Sequence, residues 1–479
     1  MHMGTSESRT LSVAAAGTLI TLIAFTAPLA TINPTAAALG ADTAGGTWIL
    51  SSMSIGLGAV LLSAGTIADD FGRRRTFVGG AIVLAVASVA AALAPSTLSF
   101  VIARIAQGVG GAAVIASSLG LIAHAFLAGP ARAAASGVWG AAVGGGIGLG
   151  PLVAAGFERS ADWRDAYWVI AIASVSVAAV ARRLLVESRA EHARGLDIAG
   201  TALLATGMSA LLAALVEGRS GWGRPVVLIL AAAAVVLLTA FVIVEARSRI
   251  AMLDLRLFTE PAFLAATGAA FATGAGIIAL MSYMCGFVSV ALGISTLGAA
   301  WLLSAWSATS VVTALFARRI RMSGRMQLVG GLVAVGLGQS SLFGITGDTS
   351  WQRLVPSLVF TGMASGVVNA ALGREAVASV PAGRGSLGSG ANNTARYVGS
   401  AVGVTIVAVL AARPAGSGAV ALADGWNQAS LFTTGISFVG ALLVLLCRPR
   451  RTPQTTPDAE VVTSDGAPSP RRSSDTARP

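Results

Sequence analysis

The chain has 479 residues, of which 55% are hydrophobic and only 11% charged, and its mean hydropathy is +0.78. A soluble domain carries about 25% charged residues, so there is too little charge here to cover a water-facing surface of this size, and lipid must solvate much of the chain. All 32 basic residues are arginine and the net charge is +11, but they fall between apolar runs and not on one face, which argues against nucleic acid as a partner.

Apolar runs near 20 residues recur at about 11–33, 47–69, 77–95, 98–123, 134–156, 165–186, 196–217, 225–246, 262–287, 296–317, 326–346, 353–373, 388–411 and 427–447. A helix needs about 20 apolar residues to cross a ~30 Å hydrocarbon core, and open strand edges cannot lie in lipid. The expected fold class is therefore an all-α membrane protein with about fourteen transmembrane helices. The first run is longer than the h-region of a cleaved leader and leads directly into the second. Cys285 and Cys447 lie in apolar stretches, so neither a disulfide framework nor a zinc site is implied, and no cofactor is expected.

Arginine placement predicts the orientation. With Met1 inside, twenty arginines fall in cytoplasmic segments, among them Arg73, Arg74, Arg75, Arg194, Arg249, Arg384, Arg450 and Arg451. Six fall on the other side: Arg159, Arg164, Arg219, Arg224, Arg353 and Arg413. That bias requires both termini to be cytosolic and the number of spans to be even. From Arg448 onward Pro, Ser, Thr, Asp and Arg dominate, as in a disordered tail.

Four stretches carry polar or glycine-rich patterns inside or between the runs. Gly65-Thr66-Ile67-Ala68-Asp69-Asp70-Phe71-Gly72-Arg73-Arg74-Arg75 joins the second and third; its glycines permit a tight turn, and Asp69 can pair with an arginine or cap a helix. Arg104-Ile105-Ala106-Gln107-Gly108-Val109-Gly110-Gly111-Ala112 puts an arginine deep in the fourth, at a cost of at least ~2.5 kcal/mol unless it is partnered. Gly137, Gly146, Gly150 and Pro151 space the fifth as G-x8-G-x3-G-P. A dinucleotide reading of Gly146-Ile147-Gly148-Leu149-Gly150 fails because no strand precedes it. Gly390-Ala391-Asn392-Asn393-Thr394-Ala395-Arg396-Tyr397 lies in the thirteenth. The basic turn after the second run recurs as Arg318-Arg319-Ile320-Arg321 after the tenth, an offset of eight. Six spans, two extra spans and six more would produce it, as in transporters built from repeated half-bundles.

These elements resemble the major facilitator superfamily: its G-x-L-A-D-R-x-G-R-R loop, its R-x-x-Q-G-x-G-x-A element and its antiporter motif. Trp163-Arg164 and Leu253-Asp254-Leu255-Arg256-Leu257-Phe258 are similar to segments of the fourteen-span drug–proton antiporter branch. The resemblance covers roughly 11–447. It implies a cytosolic leader at 1–10, a six-helix bundle at 11–190, two linking helices at 191–256, a second bundle at 257–447 and a tail at 448–479. It also implies a multi-pass transporter of the cytoplasmic membrane, not an enzyme, that exports small, largely apolar molecules such as drugs or endogenous metabolites. The drive implied is proton antiport with alternating access. The alternative is uptake or facilitated movement of a metabolite without proton coupling.

One departure keeps that alternative open. Where the branch carries an acid in its first span, this chain has Phe25, and no carboxylate lies central in any span. Candidates for coupling or gating are Asp69, Arg73, Arg104, Gln107, Gly146, Gly150, Pro151, Asp165, Glu375 and Arg396. A mostly apolar cavity is expected from Phe25, Met53, Gln107, Phe271, Met281, Tyr283, Trp306 and Asn369, because Met and aromatic side chains adapt to varied apolar ligands. Arg104 and Arg396 are expected to bias that cavity toward neutral or anionic molecules.

Overall fold

The computed structural model describes residues 4–158, 162–191, 197–248, 254–347, 349–412 and 419–448. Arg159, Arg194, Arg249, Leu253, Arg413, Arg450 and Arg451, and the tail beyond Arg448, lie outside these residues. In chain order the helices are α1 (Thr5–Thr26), α2 (Pro28–Ala38), α3 (Thr43–Phe71), α4 (Arg73–Ala92), α5 (Thr97–Ala125), α6 (Pro130–Glu158), α7 (Asp165–Leu184) and α8 (Ile198–Gly218). They continue with α9 (Pro225–Arg247), α10 (Pro261–Ala272), α11 (Ala279–Ala291), α12 (Thr296–Phe316), α13 (Gly324–Ser340), α14 (Leu354–Ala378), α15 (Gly385–Ala412) and α16 (Ala419–Leu446). Short polar residues start several of them. The side chains of Asp42, Ser96, Asp197, Ser295 and Ser323 each accept from a backbone N–H three residues on, at 2.7–3.3 Å.

Among the described residues, thirteen helices are long and apolar enough to cross a membrane. The fourteenth place is filled by α13, which has 17 residues and packs against α14 and α16. It ends at Ser340 and not near 346 because the chain turns at Gly344, whose φ is +78°. Asn427 Oδ1 fixes that turn by accepting from the N–H groups of Gly344 and Ile345.

The first span also departs from expectation. Its helix begins at Thr5, inside the 1–10 stretch read as a leader, and it breaks at Ala27–Pro28. Pro28 has no N–H to give the carbonyl of Ala24, so the intrahelical ladder is interrupted there and α2 starts anew. The ninth span is continuous from Pro261 to Ala291 but contains a π-helical stretch, Thr273–Ile278. A Cβ on Gly274 would collide with the Arg396 carbonyl of α15, so this locally widened helix lies backbone to backbone against its neighbour.

Packing follows the small residues. Helix α6 lies between α1 on one side and α12 and α14 on the other. One row of its glycines faces α12 and α14: a Cβ on Gly137 would stand 2.7 Å from the Ala314 carbonyl, and one on Gly140 2.8 Å from the Ala370 nitrogen. Gly146 and Gly150 face α1. Without a hydrophobic drive between helices in lipid, such close backbone approach supplies the dispersion contacts that hold them together. Helix α9 is the counter-example. It is the most apolar span, with hydropathy 3.1, yet only 17% of it is buried, because its partner is mainly lipid.

A Cβ at Gly146 would lie 2.5 Å from Leu22 Cβ and 2.8 Å from the Leu19 carbonyl, whereas one at Gly145 meets only flexible methyls at 3.4 Å. Gly146→Val is therefore expected to cost about 1–3 kcal/mol, read as a lower melting temperature in detergent, while Gly145→Ala leaves it unchanged. Equal loss in both would show that the α1–α6 approach is not what the glycine serves.

Candidate functional site

One end of the bundle is tied by a buried polar network that we call the latch. Asp69, in the last turn of α3, is fully buried. Its Oδ1 accepts from Arg73 Nε and Nη2 at 2.9 and 2.8 Å and from the backbone N–H of Ser386 at 3.2 Å; its Oδ2 accepts from that of Leu387 at 2.8 Å. Ser386 and Leu387 lie in the first turn of α15, so the carboxylate faces the positive end of that helix. Arg73 continues the link by donating to the Gly383 carbonyl at 2.6 Å. Next to it, Arg384 Nη1 donates to Asp70 Oδ1 at 2.5 Å.

The glycines of the Gly65–Arg75 stretch are explained by this packing. A Cβ on Gly65 would overlap the Ser386 carbonyl, and Gly72 adopts a φ of +125° beside the Glu187 carboxylate. Glu187 in turn accepts from the backbone N–H groups of Arg74 and Arg75 at 3.0 and 3.2 Å, an acid capping the start of α4. The acid at position 70, unusual for the family this loop resembles, is matched by Arg384 across the contact.

The second cluster surrounds the break between α1 and α2. Arg104 of α5 is fully buried, and its Nη1 donates to the Ala24 carbonyl at 2.6 Å and to Gln107 Oε1 at 2.7 Å. Its Nη2 donates to the Phe25 carbonyl at 3.3 Å. The guanidinium thus fills the vacancy that Pro28 creates. Hydrogen bonds to a charged group contribute about 1.5–3 kcal/mol each, which offsets the cost of placing arginine in the bundle. Gln107 passes the chain on to Ser88 Oγ at 2.7 Å. From the other side, Gly150 of α6 leaves room for Thr26 Oγ1, which donates to the Gly146 carbonyl at 3.3 Å.

Above this elbow, in the half of the bundle away from the latch, lies a cavity of about 210 Å³. The direction follows from the helices. Helix α3 runs toward Asp69 and α15 runs away from it, so Leu50–Ile55 of one and Ser400–Ala408 of the other both lie in the far half. Phe25, Leu29, Tyr283, the α8 residues Leu212 and Val216, and Arg219 just past the end of α8 also line it. A narrower void shares Phe25, Leu29 and Ser282 and reaches Ile147, Met281 and Trp306. The cavity is smaller than the roughly 300–1,000 Å³ that encloses a drug-sized molecule, so such a molecule must spread the helices as it enters.

The expected residues divide accordingly. Phe25 and Tyr283 line the cavity, and Met281 and Trp306 line the void. Gln107 is tied to Arg104, Met53 is fully buried in the core against Gly111, Asn369 Oδ1 accepts from Arg396 Nη2 at 3.0 Å, and Phe271 sits where α10 crosses Gly399. These four are absent from the walls of both spaces, as are Arg104 and Arg396. Pro151 lies within α6, one residue past Gly150. Asp165 opens α7, and Glu375 pairs with Arg374 at 3.6 Å near the end of α14; neither reaches the cavity. The pattern-based reading did not single out Glu187, Arg384 or Arg219.

The Major Facilitator Superfamily model matches residues 11–404. The chain belongs to that superfamily. The chain is thus a multi-span transporter embedded in a membrane and acting on small molecules, not an enzyme. It is 32% identical over 434 residues to a probable actinorhodin transporter of Streptomyces coelicolor, across 86% of this chain and 74% of that one. It is 29% identical over 379 residues to the multidrug resistance protein Stp of Mycobacterium tuberculosis, covering 78% of this chain and 70% of Stp. The solved proton:xylose symporter XylE shares the fold with a TM-score of 0.68 at 14% identity, over 93% of this chain and 96% of that one.

Removing one partner of a buried ion pair costs about 3–5 kcal/mol, so Asp69→Asn should loosen the latch. Ser389, fully buried just beyond it, is the reporter. In a Ser389→Cys background, Asp69→Asn should raise labelling by a membrane-impermeant maleimide at least tenfold. An unchanged rate would mean that the latch does not keep this end shut.

Proposed function

We propose that this transporter exports small, largely apolar molecules across the cytoplasmic membrane by alternating access, with protons moving in exchange. The latch end faces the cytosol in this reading, as do both termini. The bundles at 11–190 and 257–447 rock about the cavity while the helices at 191–256 link them. The observation that carries the reading is the asymmetry of the molecule: one end is tied by the Asp69 network, and the cavity occupies the other half. Opening one end while closing the other gives a substrate alternate exits. The names of the relatives, a probable antibiotic transporter and a multidrug resistance protein, support export.

Arg104 and α6 would act at the moving joint. The α1–α2 elbow is held by Arg104 on one side and by Gly146 and Gly150 on the other, with Pro151 next along α6, so repacking of the bundles would pass through it. Proton exchange would use a carboxylate that both sides reach in turn. Asp69, Asp165 and Glu375 are the candidates; each lies near a helix end and none lines the cavity.

Efflux from an efflux-deficient host and from proteoliposomes tests this. Arg104→Ala should lower transport at least tenfold with the purified protein still monodisperse, and an uncoupler should abolish accumulation against a gradient. Transport that ignores the uncoupler would leave proton-independent movement of a metabolite as the function. Phe25→Asp places an acid in the cavity wall and should shift preference toward cations; a flat response would remove Phe25 from the substrate path.

A further inference from the structure

Arg219 is the charged residue in the cavity wall. Among the sixteen residues that line the space there is no carboxylate; the rest are apolar side chains and the polar Thr26, Ser51, Ser54, Ser282, Tyr283 and Ser400. Arg219 stands one residue past the end of α8, and its Nε donates to Thr405 Oγ1 on α15 at a long 3.5 Å. None of the ion pairs among the described residues includes it. The nearby acid, Glu217, is already engaged: its Oε1 accepts from Trp48 Nε1 at 2.6 Å and its Oε2 from Arg224 Nη1 at 2.7 Å. Arg224 thus balances Glu217 and leaves Arg219 without a counter-charge. Burial alone pulls its guanidinium down to about 10, still well above neutrality, so it keeps its proton.

We propose that Arg219 selects organic anions: the cavity takes a molecule with an apolar ring body and one acidic group, a carboxylate or an ionised phenol, with the acid at Arg219 and the rings toward Phe25 and Tyr283. The first linking helix would then supply specificity and not only connection. Thr405 Oγ1, which donates to the Leu215 and Ala401 carbonyls, takes only Arg219 Nε, and the rest of the guanidinium fork is a donor set suited to a carboxylate. This inference rests on the export reading for its direction of movement but not for the binding site itself.

Two dyes of one three-ring skeleton provide the test: fluorescein, which is anionic, and rhodamine 123, which is cationic. Binding to the purified full-length protein is followed by anisotropy, and release from preloaded proteoliposomes by fluorescence. The wild type should bind fluorescein more tightly than rhodamine 123. Arg219→Gln should weaken fluorescein about tenfold or more and leave rhodamine 123 unchanged, consistent with loss of a charge-assisted contact. Arg219→Lys should retain most of the affinity, and Arg219→Glu should reverse the preference. The proposal is overturned if the wild type favours rhodamine 123 or binds neither dye, or if Arg219→Gln affects neither dye or weakens both equally. Charge-selective binding without release would sink the export reading and keep the anion site. Release without charge selectivity would do the opposite.

Discussion

A buried carboxylate that accepts four hydrogen bonds from two distant parts of the chain ties one end of this molecule. Asp69 takes two from Arg73, across the Gly72 turn at the start of α4, and two from the start of α15, more than three hundred residues later. Neither the acid nor the arginine is tolerable alone at that depth, since an unpaired buried charge is costly. They stabilise one another across the α3–α4 turn, and the two further bonds to Asp69 exist only while α15 stays seated against α3.

The rest of the architecture follows from keeping that contact at one end and a space at the other. Close approach at the latch is possible because Gly65 has no side chain, and the turn after it needs the positive φ of Gly72. Farther along, Pro28 breaks the first span and Arg104 repairs the break, so a joint exists beside the cavity without an unsatisfied carbonyl in lipid. The glycines of α6 let that joint lie against a helix that also touches α12 and α14. Latch, joint and cavity are therefore physically continuous through α3, α5 and α6.

Most of the fold was legible in the sequence because crossing lipid is a local demand. Each span must be about twenty residues long and apolar, and a window reads that directly; the eighth span, expected at 225–246, is Pro225–Arg247. Glycine spacings were equally readable, since small residues mark close helix contacts. What escaped depends on folding back. Arg219, Arg384 and Glu187 sit just beyond helix ends or in loops, where arginine counting treats charges as solvated. Only three-dimensional packing turns Arg219 into a cavity wall, Arg384 into the partner of Asp70, and Glu187 into a cap on α4. Arg104 and Arg396, expected to bias the cavity toward neutral or anionic molecules, lie outside its wall and bond to carbonyl and amide groups.

Spin labels at two pairs of exposed sites probe the gate most directly: Arg75→Cys with Ala382→Cys at the latch end, and Ala38→Cys with Val290→Cys at the other. Distances would be measured with and without Asp69→Asn by double electron–electron resonance. Coupled ends predict that Asp69→Asn lengthens the Arg75–Ala382 distance by several ångströms while the Ala38–Val290 distance shortens. If the mutation leaves both distances unchanged, or lengthens both together, Asp69 does not govern which side of the molecule is open.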